Sequence, residues 1–196
     1  MAGGATLHLT GEVEADALLD RDPFALLAGM LLDQQMPMER AFAGPWRLAQ
    51  RLGTPDRLDP VAVAAHDPAA FAALCAEPPA VHRYPGSMAG RLQALARAVV
   101  DDYGGDASAL WAGVGSGAEL LARLRALPGF GEAKARIFVA LLGKQRGVQP
   151  DGWREAAGPY GEEGSHRSVA DVVDAASLVK VRDTKKQLKA AARAKG

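Results

Sequence analysis

Apolar residues recur along the chain at three- and four-residue spacing, in one short block after another, while the alternation of a half-buried strand is nearly absent. Only Leu7–Thr10 (LHLT) alternates convincingly, and it predicts a short strand. Asp22-Pro23 is a helix start, an N-cap followed by proline at the first helical position. The run that follows, FALLAGMLLDQQ, is apolar all round until Asp33, which predicts a helix buried in the middle of a domain. Pro37 opens the next helix, MERAFAGPWRLAQRLG, which stops at Gly53. Asp59-Pro60 starts VAVAAH, and Asp67-Pro68 starts AAFAALCAE, which Pro78-Pro79 terminates. After a turn at Pro85-Gly86, a helix carries Leu92, Leu95, Ala96, Val99 and Val100 on one face. Gly115–Leu127 is amphipathic, and EAKARIFVALLGK follows it. Beyond the Gly/Pro-punctuated passage GVQPDGWREAAGPYGEEG, the last helical pieces are SVADVVDAASL and a basic tail. The fold class is all-α, divided as an N-terminal segment (1–21), a main domain (22–164) and a C-terminal helical, basic region (165–196).

Composition narrows this picture only a little. With 196 residues, 48% of them apolar, the chain can bury a real core. Formal net charge is zero, so nothing global announces a nucleic-acid or membrane partner. The distribution is less even. Residues 11–22 carry five acids against one Arg, and residues 180–196 carry seven Lys or Arg against one Asp. A basic tail of this kind suits either a polyanion or a solvated helix end. The single cysteine, Cys75, excludes an internal disulfide, a four-cysteine zinc site and a four-cysteine iron–sulfur cluster. The four histidines have no metal-ligand spacing. No charged-then-apolar leader and no apolar run near eighteen residues is evident, so a soluble, cytoplasmic protein with no membrane partner is expected.

The stretch Leu127–Gly131 (LPGFG) places a proline and two glycines between two amphipathic helices. Amides at the N-terminus of the second helix have no intrahelical partner, and the helix dipole makes the spot mildly positive. Glycines at 129 and 131 let a backbone phosphate come close, and such a site reads no base identity. Lys134, in the first turn, could add a charge-assisted contact. The plainer alternative is an ordinary helix–helix connection that uses glycine for its turn.

The pattern L-P-G-x-G-x-x-K-A resembles the helix-hairpin-helix motif of the base-excision DNA glycosylase superfamily, in which a Gly/Pro-rich loop and an aspartate follow the motif. The resemblance covers roughly residues 22–160 and implies a two-lobed helical fold with its cleft between the lobes. In the endonuclease III branch the catalytic Asp follows the motif's lysine position by eighteen residues. That position is Ala133 here, and eighteen further on is Asp151, in GVQPDGWR behind Gly147 and Pro150. The resemblance therefore implies Asp151 as the catalytic carboxylate, stabilising positive charge on the deoxyribose or activating water. Asp-Gly is equally a common turn dipeptide, and Gly152-Trp153-Arg154 departs from the family's usual continuation.

Relatives that also cut the strand use a lysine where Ala133 stands, so a monofunctional, water-using enzyme is implied. Gly129, Phe130, Gly131 and Lys134 become the expected DNA contacts, with Gln34 and Gln35 at the flipped base or its vacated place. Adenine-removing relatives carry Glu at the position of Met30, and Asp33 would lie on another face of the helix, which points weakly to alkylated or otherwise labile bases. Met30, Met36, Tyr84, Met88 and Trp153 are candidate pocket walls, with core packing as the alternative for each. Family members also hold a monovalent cation on hairpin carbonyls, here those of Leu127, Gly129 and Glu132, and no other cofactor is implied. The expected partner is double-stranded DNA carrying a damaged base, bound by a monomer. The other readings are a non-catalytic hairpin module that binds DNA and a helical interaction domain with no DNA role.

Overall fold

The computed structural model describes residues 6–194. Ten α-helices run through them: α1 (Val13–Arg21), α2 (Pro23–Leu32), α3 (Met38–Arg51), α4 (Pro60–Ala65), α5 (Pro68–Ala76), α6 (Pro85–Tyr103), α7 (Gly117–Arg125), α8 (Glu132–Gln145), α9 (Trp153–Ala157) and α10 (Ala175–Ala194). Short 3-10 turns lie at Ala107–Leu110, Gly158–Tyr160 and Val169–Asp171. The fold is all-α. Among the described residues there is no strand, only a single isolated parallel bridge between Ser116 and Asp151.

The Asp-Pro starts work as their chemistry dictates. Asp22, Asp59 and Asp67 each accept from first-turn amides of α2, α4 and α5, with proline next to the cap. Asp22 does more, because its second carboxylate oxygen accepts from the Leu58 amide at 2.6 Å and so ties the loop ahead of α4 to the start of α2. Nine of the ten α2 residues are buried, and α1, α3 and α6 pack around it. On α6, Leu92, Leu95, Ala96 and Val99 are buried as the pattern required, while Val100 is half-buried.

Three features differ from the sequence reading. Leu7–Thr10 is not a strand, for it has no neighbour strand to pair with. Leu7 and Leu9 do point into the core, but their amides are satisfied by Asp20 and Asp16 carboxylates at 3.0 Å each. Those acids belong to α1, a helix that the sequence reading did not mark inside the acidic stretch 11–22. The third feature is a break in the C-terminal region: residues 172–174 are extended between the turn at Val169–Asp171 and α10. A capping box between Ser168 and Asp171 ends one side of this break, and Asp174–Ser177 hydrogen bonds open the other. The N-terminal segment and the basic tail extend at 1–5 and 195–196 outside the described residues.

Candidate nucleic-acid interface

Helix α8 begins at a bend whose two glycines do different work. Gly129 has φ +82°, and a Cβ there would meet Leu31 Cδ1 at 2.4 Å, so this glycine lets the bend close onto α2. Gly131 has φ −73° and open space where a Cβ would stand. It is the N-cap of α8 and caps nothing with a side chain, while Gly131, Glu132 and Ala133 are all exposed. The first backbone bond of the helix is Ala135 N–H to Gly131 carbonyl, 2.9 Å. The amides ahead of Ala135 therefore present their N–H groups at an exposed, positive helix end. Glu132 would oppose an anion here, but Arg125 and Arg136 neutralise it at 2.8 and 2.7 Å.

Two expected DNA contacts at the bend are corrected. Phe130 is 3% exposed and packs edge-on against Phe138, so it anchors the bend in the core and does not reach solvent. Lys134 is not a free phosphate hand. Its Nζ donates to the Met30 and Leu31 carbonyls at 2.7 and 3.0 Å, satisfying acceptors that the end of α2 leaves open. Burial pushes this ammonium down to about 8, opposed by Asp33 and aided by Arg91. Of the carbonyls expected to hold a cation, that of Glu132 lies inside the first turn of α8, and that of Leu127 accepts from the Phe130 amide at 3.2 Å.

The end of α2 lies beside this bend. Asp33 is the C-cap of α2, with ψ 70°, and Gln34 and Gln35 follow directly in a turn. Burial raises the Asp33 carboxyl above its ordinary range, against the pull of Lys185 and then Lys134. Gln34 is fully engaged. Its amide donates to the Leu31 carbonyl at 2.8 Å and lies 3.7 Å from Met88 Sδ, and Arg91 approaches its oxygen at 3.4 Å. Its backbone carbonyl meets His82 Nε2 at 2.8 Å, and the Tyr84 amide donates to His82 Nδ1 at 2.9 Å. Those partners assign the proton to Nε2. His82, which its spacing marks as ordinary, thus joins the glutamine turn to the start of α6; nothing local in the sequence signals it.

Gln35 is different. It is exposed and the one non-glycine residue with positive φ among the described residues, at 56°. Such backbone costs on the order of 1 kcal/mol and is kept where something else requires it. Gln35→Gly is expected to leave the melting temperature unchanged or slightly raised, which a thermal melt checks.

The expected pocket walls divide. Met30 (1% exposed) and Met88 belong to the core. Met36 is half-buried and lines a cavity of about 290 Å³ with Asp33, Glu39, Val181, Arg182 and Lys185. Tyr84 is 47% exposed, with the Arg83 guanidinium 5.4 Å from its ring centroid. Trp153 is buried against Gly143, far from these residues.

Asp151 stands apart from the bend. Its carbonyl accepts from Gly117 N–H at 2.7 Å at the start of α7, and its carboxylate is exposed. Trp153, two residues on, packs at Gly143, nine residues and so about 14 Å along α8 from Lys134. The structure thus gathers Gly129, Gly131, Lys134, Gln34, Gln35, Met88 and Tyr84 at one end of α8, and leaves Asp151 and Trp153 at the other. No protein-family model, no curated protein and no solved structure matches the chain.

Proposed function

We propose that this chain is a base-excision DNA repair protein, a monofunctional N-glycosylase of the helix-hairpin-helix kind acting as a monomer on damaged duplex DNA. The observation that carries the reading is the exposed, uncapped start of α8 at the Gly129–Gly131 bend, set beside the glutamine turn. The amides at that start bind a backbone phosphate without reading sequence. Gln35 enters the duplex next to the extruded nucleotide, and Tyr84 offers an exposed aromatic face for stacking. The cleft between a lobe containing α3–α6 and a lobe containing α7–α10 receives the DNA.

Gly143, where Trp153 packs two residues after Asp151, lies about 14 Å along α8 from Lys134, about four base-pair rises of 3.4 Å. In this reading the bend therefore holds the strand at a distance from the sugar under attack. Asp151 activates water for attack at C1′; the N-glycosidic bond breaks, its electron pair leaves with the base, and the sugar gains the hydroxyl. A base already made labile by alkylation leaves without a strong acid, in keeping with apolar Met30 where a proton donor would stand.

A second reading is favoured by one observation: the Asp151 carboxylate is exposed and lines no cavity described above. In that reading the chain binds damaged DNA without excising it. Duplex titrations over a salt series and a base-release assay on alkylated, oxidised and deaminated duplexes separate the two. Steep salt dependence with release supports the first reading, steep salt dependence without release supports the second, and absent binding removes both.

The structure also splits the two glycines. Gly131→Leu is expected to cost less than about 1 kcal/mol in stability, since φ is ordinary and the space is open, yet to weaken duplex binding about tenfold by covering the amides. Wild-type affinity in that variant would remove the bend from the interface.

A further inference from the structure

Helix α10 starts near the C-terminal end of α8 and reaches the end of α2. Its approach begins where the Gln145 amide donates to the carbonyls of Val169, Ala170 and Val172, at the C-terminal end of α8. Val181 is buried, Arg182 pairs with Glu39, and Lys185 lies close enough to Asp33 to pull on its carboxyl. Asp33 in turn neighbours Lys134, at the N-terminal end of α8. From Ala175 to Lys185 α10 therefore spans from the C-terminal end of α8 to the end of α2. It then continues for nine more residues, 186–194, about 13 Å beyond that end. All nine are exposed.

The charges on this helix are ordered. Arg182, Lys185, Lys186, Lys189 and Arg193 fall at i, i+3, i+4, i+7 and i+11, one face of a helix that turns about 100° per residue. Arg182 pairs with Glu39, and Lys185 lines a cavity with Asp33. The other three continue the same face past the cavity that Arg182 and Lys185 share with Asp33 and Met36, at the end of α2. Asp183 is the one acid on α10, and it lies off this face.

We propose that the overhanging face of α10, through Lys186, Lys189 and Arg193, is a second contact for the phosphate backbone of the duplex that the α8 bend engages. The inference rests on the DNA-binding reading above. It commits to duplex DNA because the face is cationic and exposed, continues from the cavity beside the glutamine turn, and is spaced along about 13 Å, a length over which one strand presents several phosphates. The bend and α10 then hold the duplex at two separate places, which fixes its direction across the cleft where one contact would leave it free to pivot.

The test uses the full chain carrying Lys186→Gln, Lys189→Gln and Arg193→Gln together, which leaves the Arg182–Glu39 pair and Lys185 intact. Circular dichroism and a thermal melt control for the fold. Binding to an undamaged 20-base-pair duplex is titrated from low to high salt for wild type and variant. Each lost phosphate contact lowers the slope of log K against log salt by about 0.9. The variant is therefore expected to lose about 2.7 from the slope, with affinity about tenfold lower near 0.1 M salt. An unchanged slope with wild-type binding intact overturns the α10 contact alone. Wild-type binding that is absent altogether overturns the DNA-binding reading itself. Vesicles containing phosphatidylserine form a further arm: α10-dependent vesicle binding with α10-independent duplex binding assigns the face to an anionic membrane and overturns the proposal.

Discussion

Asp151→Asn is expected to lower release of a damaged base by about a thousandfold, with the fold and the duplex affinity unchanged. The two side chains have nearly the same shape, so the substitution removes a charge and little else. Asp151 is exposed, and among the described residues its carboxylate makes no hydrogen bond or ion pair. The structural cost should therefore stay within about 0.5 kcal/mol. What changes is the chemistry: an amide neither takes a proton from water nor balances positive charge growing on the sugar. Single-turnover release, measured beside a thermal melt and a duplex titration, isolates that step. Release at the wild-type rate would dismiss Asp151 and turn attention to Asp33, the carboxyl that burial holds above its ordinary range beside the glutamine turn.

The second large effect concerns how Asp151 is held. Gly143→Ala should destabilise the protein by about 2 kcal/mol, even though alanine is the better helix former by about 1 kcal/mol. A Cβ at 143 would stand 2.3 Å from Trp153 Cε3 and 2.4 Å from Cζ3, inside the contact distance of a rigid ring. The ring cannot retreat far. A Cβ at Gly117 would come within 2.5 Å of Trp153 Cα, so the backbone beneath the ring is already pressed against α7. The Arg154 guanidinium lies 4.5 Å from the ring centroid. Overpacking of this kind costs about 1–3 kcal/mol and more when a ring is expelled, which outweighs the helical gain. The expected fall in melting temperature is about 4–8 °C. Pairing Gly143→Ala with Trp153→Leu should recover part of that loss, because the smaller side chain makes room. A melting temperature raised by Gly143→Ala alone would refute the packing argument.

Local chemistry made most of the helices legible. Asp22, Asp59 and Asp67 each precede a proline, and both residues act within one turn of themselves. The hairpin was legible for the same reason, since Gly129 and Gly131 announce a bend wherever they are placed. What escaped was non-local. Asp16 and Asp20 were only part of an acidic stretch until the preceding segment folded back and brought the amides of Leu9 and Leu7 onto them. Phe130 read as a surface contact until α8 brought Phe138 against it, and Lys134 because the α2 carbonyls that claim it lie about a hundred positions earlier. The position of Asp151 at the far end of α8 depends on Gly117 and Gly143, whose missing side chains matter only once Trp153 is packed against them.

The contact between Leu31 and Gly129 has a mechanical consequence. A methyl group of Leu31 occupies the volume that a side chain at 129 would need, and Lys134 fastens the carbonyls of Met30 and Leu31 to the first turn of α8. The bend and the glutamine turn are thereby registered to one another with no hinge between them. On the DNA-binding proposal, docking should then proceed as rigid-body capture, with little ordering entropy lost at this corner and free and bound forms that superimpose there.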